Sequence, residues 1–149
     1  MLRRTHLAIG AAVALYFLPH VNNQLAFIPI LIISTLLPDM DRIIGPSKLM
    51  FWKKDSSETP NHRGMFHSYT FCILLSVLFA FFSPLLALPF FLGYSTHLFA
   101  DSFTVKGIKP FWPLKVTSSG KVSTGGTLEI TVFWVFILVD LFILVFLFI

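Results

Sequence analysis

Charge is scarce in this 149-residue sequence: Lys, Arg, Asp and Glu make up 12% of it, against roughly 25% in a soluble domain. So thin a supply argues against a water-facing globule. Hydrophobic residues make up 56% and mean hydropathy is +0.82, so the chain is too apolar to stay disordered. Cysteine is nearly absent. The single Cys72 lies in an apolar run, which excludes an intrachain disulfide and a cysteine-based zinc site. Repeats at solenoid spacing are missing, as is any nucleic-acid recognition motif. The net charge of +4, from 11 Lys and Arg against 7 Asp and Glu, therefore points to an anionic membrane surface rather than to nucleic acid.

What the chain does have is apolar length. Five segments stand out: Leu7–Leu18, Leu25–Leu37, Phe71–Phe82, Leu85–Ala100 and Leu128–Ile149. Only the last reaches the roughly 20 residues of a full span. The others must borrow polar flanks or cross a locally thin bilayer. Backbone hydrogen bonds must close internally in lipid, so helices are expected rather than strands. The predicted fold class is all-α: an integral membrane helical bundle of about five transmembrane or partly spanning helices, one domain over residues 1–149. Met1–His20, with Arg3, Arg4 and Ala12-Val13-Ala14, has some features of a cleaved secretory signal, but its apolar stretch before Ala14 is short for one.

Pro19–Gln24 reads as a turn, and Ser83-Pro84 as a tight helical hairpin. Two polar stretches remain, Pro38–Ser68 and Asp101–Thr127. Lys48–Lys54 and Lys109–Pro113 mix bases with aromatics, a composition suited to the headgroup boundary. Lys115–Thr124 has the pattern of a short hairpin. Thr127 is the expected N-cap of the last helix, with Glu129 suited to its positive end.

Alternating the helices across a bilayer sorts the charges. All 11 Lys and Arg fall on the side that holds residues 1–6, 38–68 and 101–127. Cytoplasmic loops carry the Lys/Arg excess, so that side is expected to face the cytoplasm of a multi-pass inner-membrane protein. The same side collects His6, Asp39, Asp41, His62, His67, His97 and Asp101. His20 falls on the opposite side and is left out of the site.

The chemistry of these residues suits a metal. Pro38 biases Leu37 away from helical geometry, so the second helix should end there. Asp39-Met40-Asp41 is then expected to be extended, which points both carboxylates the same way. A cation between them relieves their repulsion. Solvated acids paired with Arg42 or Arg63 are the plain alternative. His97 and Asp101 are four apart, one turn along a helix face. That pair suits one divalent ion or two adjacent ones, against a simple His–Asp helix cap. Gly64 allows His62 and His67 to turn toward one site.

Seven N/O donors without cysteine suit zinc first and manganese next. They fit one to three ions, with two favoured, and paired ions are suited to phosphoester hydrolysis. Asp41 and Arg63 are assigned to the reaction itself, Arg63 as a bidentate phosphate holder. Lys106 is better explained by loop charge bias. Asp140 lies within the last apolar run, too far along to be a ligand, and needs protonation or a polar partner.

Thr5-His6, Leu37-Pro38-Asp39-Met40-Asp41, His62-Arg63-Gly64-Met65-Phe66-His67-Ser68 and Gly93–Asp101 followed by Trp112-Pro113 resemble, in that order, one family. It is the YdjM-like family of bacterial inner-membrane metal-dependent hydrolases, which includes a LexA-regulated, SOS-response member. The resemblance runs from Thr5 to about Leu114. It implies a membrane-embedded helical protein, a metal site and hydrolase activity on phospholipids. A more distant similarity is to zinc-dependent phospholipase C and the related single-strand nucleases, which hold three zincs. His6, Asp39, His62 or His67, and His97 with Asp101 follow their ligand order. Their second H-x-x-x-E pair has no counterpart after Asp101.

The expected function is therefore a membrane-bound metal-dependent hydrolase cleaving a phosphoester at the cytoplasmic face. Membrane lipids are the expected partners, a phospholipid the candidate substrate, and a homo-oligomer remains open. The alternatives are a noncatalytic membrane protein with a structural metal, and a metal or proton carrier using Asp140.

Overall fold

The computed structural model describes residues 1–40 and 65–149. Among the described residues the α-helices are α1 (Arg3–Phe17), α2 (Gln24–Leu36), α3 (Tyr69–Phe82), α4 (Pro84–Ser102) and α5 (Thr127–Phe148). Pairing outside helices is limited there to two isolated β-bridges, so the all-helical class holds. Asp41, His62, Arg63 and the aromatic–basic stretch 48–54 lie outside the described residues.

Local chemistry sets the helix ends. Pro19 sits in a 3-10 turn, Leu18–His20, that closes α1. Ser68 starts α3: its Oγ accepts from the Phe71 N–H at 3.2 Å, satisfying one orphan donor of the first turn. Ser83 ends α3 by donating its N–H to the Phe79 carbonyl at 2.7 Å. Pro84 then opens α4, where a missing N–H costs nothing.

The α4 helix packs against α2, α3 and α1, and α1 packs in turn against α2 and α5. Two glycines permit the close approaches. A Cβ on Gly93 would lie 2.2 Å from the Leu31 carbonyl oxygen, and one on Gly10 would lie 2.8 Å from Thr35 Oγ1. Backbone therefore nearly touches backbone where α2 crosses α4. Apolar side chains fill the remainder: Cys72, Phe90, Tyr94, Leu98 and Ile108 in one cluster, Ala14, Phe27 and Leu31 in another.

Several local expectations need correction. Leu37 keeps right-handed helical geometry despite preceding Pro38, and the chain continues as a 3-10 turn, Leu37–Met40. The fixed φ of proline fits the second position of such a turn, so Asp39 is helical rather than extended. The hairpin expected within Lys115–Thr124 does not form. Instead Ile108 pairs antiparallel with Ser118, and Thr104 bridges Val122 in parallel. Gly107, at φ +61°, makes the turn that this pairing needs. Gly126, not Thr127, is the N-cap of α5.

Thr127–Leu147, 21 residues with a mean hydropathy of 2.9, is the described helix long and apolar enough to cross a membrane. Gln24–Met40 and Tyr69–Phe82 are shorter apolar helices. Large apolar side chains point outward from them too, with Leu25 at 92%, Ile33 at 62% and Phe81 at 81% exposure.

Candidate metal centre

Chain direction brings the chemistry to one end of the bundle. His6 is in the first turn of α1, and Asp39 follows the C-terminal end of α2. His67 ends a 3-10 turn just before α3, and His97 and Asp101 lie in the last turns of α4. Each is buried, and Asp39, the most accessible, is 5% exposed.

The side chains are in close contact. Asp101 Oδ1 lies 3.3 Å from His6 Nε2. Its Oδ2 lies 3.8 Å from His97 Nε2 and 3.9 Å from His67 Nε2. The His6 and His97 rings stack, with centroids 3.8 Å apart and planes 14° apart. Four donors around a tetrahedral zinc are about 3.3 Å from one another, given ligand bonds near 2.0–2.1 Å. The contacts of Asp101 with the three histidines need at most about 0.6 Å of contraction to match that spacing.

One hydrogen bond decides what His97 offers. Its Nδ1 is 2.8 Å from the Thr35 carbonyl oxygen. A carbonyl only accepts, so the proton is on Nδ1 and Nε2 presents a lone pair to the cluster. This arrangement, a backbone carbonyl fixing the tautomer of an imidazole, is the support that metal-ligating histidines ordinarily have. Thr35 is held in turn by its own Oγ1, which donates to the Leu31 carbonyl at 2.9 Å.

The donor set fits a divalent cation. Ligand atoms of His6, Asp39 and His97 all lie within 4.8 Å of one another, and so do those of His67, His97 and Asp101. His6 Nδ1, Asp39 Oδ2 and His97 Nε2 are buried without a hydrogen-bond partner. Unpaired buried polar atoms are costly, and three in one cluster call for a ligand. Because Nδ1 of His97 is engaged, this residue offers one nitrogen to both triads. The five described donors thus form two triads that share His97.

Burial alone raises the Asp101 carboxyl. The His6 imidazole and the Met1 amino group beside it outweigh that effect and hold it well below the usual carboxylate range. The pocket thus already accommodates positive charge against this carboxylate.

Two supporting residues have little sequence signal. Thr35 acts through its carbonyl, which no side-chain pattern reports. For Glu129 the sequence predicts only that it complements the α5 dipole. It is fully buried, and its carboxylate accepts from the Gly125 N–H at 2.6 Å, the Thr5 hydroxyl at 3.1 Å and the Leu2 N–H. It thereby fastens the start of α5 to the start of α1, next to His6. Asp140, far along α5, is not part of the cluster.

Residues 1–149 match the family model described as YdjM inner membrane protein. No curated protein matches the chain. No solved structure matches it either.

Proposed function

The chain belongs to the YdjM inner membrane protein family, and we propose that it is a membrane-bound metal-dependent hydrolase acting on a phosphoester, with a lipid as the substrate class. The observation that carries this reading is the set of buried imidazoles and carboxylates around Asp101, with His97 fixed by the Thr35 carbonyl. Zinc is the ion the donors suit best: nitrogen and carboxylate ligands, no thiolate, and compact spacing. Bound there, it would supply water activation at neutral pH and stabilisation of charge developing on a phosphoryl oxygen.

The protein's own residues have separable tasks. His6, His67 and His97 would supply the imidazole nitrogens. Asp39 and Asp101 supply the negative charge that offsets a divalent cation. Asp41 and Arg63 are assigned to the reaction on sequence grounds.

We read the bundle as multi-pass, with the metal end cytoplasmic. The large apolar side chains exposed along α2 and α3, among them Leu25, Ile33 and Phe81, favour lipid contact. Arg3, Arg4, Lys106, Lys109, Lys115 and Lys121 all belong to segments at the metal end, in keeping with the positive-inside bias. A lipid headgroup could then reach the site sideways from the leaflet.

The test is hydrolysis of a lipid phosphoester by purified, zinc-loaded protein in nanodiscs. Turnover should fall at least a hundredfold in both His97→Ala and Asp101→Ala. Equal turnover in those variants would overturn the assignment. Zinc retention with no hydrolysis of any phosphoester would favour a structural metal that staples the helix ends.

A further inference from the structure

The reactive cluster needs a route to its substrate, and the shape of the protein gives one. An open cleft of about 640 Å³ is lined by Met1, Leu2, Arg3, Arg4, Asp39 and Thr124. The cleft reaches the buried cluster at Asp39. This residue is 5% exposed, its Oδ2 has no hydrogen-bond partner, and it forms part of the cleft wall. Two arginines line the same cleft. Among the described residues neither pairs with a carboxylate. Arg4 lies over the Phe133 ring of α5, 5.4 Å from its centroid, which holds the guanidinium in place without neutralising it. Arg3 is exposed at the cleft. The nearby carboxylate of Glu129 is already engaged by three hydrogen-bond donors.

Resting on the hydrolase reading above, we infer that this cleft is the substrate's phosphate-binding subsite, with Arg3 and Arg4 holding the anionic oxygens and Asp39 shared between the cleft wall and the metal cluster. A site that binds only a metal has no use for two cations lining the cleft that leads to it. Cations so placed are wanted where a dianionic phosphoryl group must approach a cation-filled cluster. Guanidinium forks suit phosphate oxygens in bidentate geometry. Arg3 and Arg4 are therefore substrate-positioning residues, and a headgroup phosphate and free phosphate would satisfy the same chemistry.

The experiment uses the full chain in nanodiscs, with metal content measured separately by mass spectrometry. Inorganic phosphate is titrated calorimetrically into zinc-loaded and metal-free protein. Zinc should strengthen phosphate binding. Arg3→Gln and Arg4→Gln should each weaken it about tenfold, the scale of one lost hydrogen bond to a charged group, while zinc content stays unchanged. Lys115→Gln, an exposed lysine away from the cleft, should bind as the wild type does. Nanodiscs containing phosphatidic acid in place of phosphatidylcholine should compete with inorganic phosphate if the source is a headgroup, and should leave its affinity unaltered if the source is soluble. Either result upholds the subsite. Zinc-loaded protein that binds phosphate equally well with and without Arg3 and Arg4, or that binds none, overturns it. Protein that takes up no zinc but still binds phosphate through Arg3 would retain the subsite and remove the metal reading.

Discussion

Gly93→Ala should damage a metal site that Gly93 does not touch. The added Cβ would sit 2.2 Å from the Leu31 carbonyl oxygen and 3.0 Å from the Thr35 nitrogen, both backbone atoms. The first approach falls about 1.2 Å short of the 3.4 Å at which ordinary contact begins. Backbone has no rotamer by which to escape, so α2 and α4 must separate by about that amount. The Thr35 carbonyl, four residues beyond Leu31, moves with α2. Its 2.8 Å bond to His97 Nδ1 would stretch to about 4 Å, beyond hydrogen-bonding range. Overpacking of this kind costs about 1–3 kcal/mol. Loss of a carbonyl that orients a ligand histidine typically weakens metal binding 10- to 100-fold. Zinc affinity should be measured by competition with a chromophoric chelator, and stability by thermal unfolding in the same detergent. Gly93→Ala should lower both. A variant with normal zinc affinity would refute the claim that the α2–α4 contact orients His97, even if its melting temperature dropped.

Three further outcomes are expected. Chelation of the bound ion should lower the melting temperature, because a ligand that binds only the folded state stabilises it by mass action; an unchanged melt would contradict a bound ion. Zinc affinity should fall as the medium is acidified, since protons compete with the ion for three imidazoles; a pH-independent affinity would exclude histidine ligation. Glu129→Gln should destabilise the protein by about 1–3 kcal/mol, because an amide nitrogen replaces one oxygen that accepts a hydrogen bond; denaturant unfolding of zinc-free protein would show no change if the contact were incidental.

Some of the architecture is visible in the residues alone. Apolar runs bounded by Pro19, Ser83-Pro84 and the polar stretches mark the helices to within a few residues, because lipid-like composition leaves the backbone few alternatives. The i, i+4 spacing of His97 and Asp101 places them on one face of α4. Alternation of short helices places His6, Asp39 and His67 at the same end as that pair. What stays hidden is backbone. The Thr35 carbonyl, the Gly93 and Gly10 contacts and the Leu2 N–H carry no side-chain signature. The 3-10 turn at Pro38 defeats a local rule because the turn needs proline's φ at that position. The bridges of Ile108 with Ser118 and Thr104 with Val122 depend on pairing across a connection, which local pattern does not register.

The most direct test is metal analysis coupled to X-ray absorption at the zinc edge on protein purified from membranes without added chelator. The account predicts about one or two zinc ions per chain, a nitrogen- and oxygen-only coordination shell with imidazole scattering, and loss of bound zinc in His97→Ala. Purified wild-type protein without zinc or another divalent ion, or a His97→Ala variant with the same metal content and the same spectrum, would contradict it.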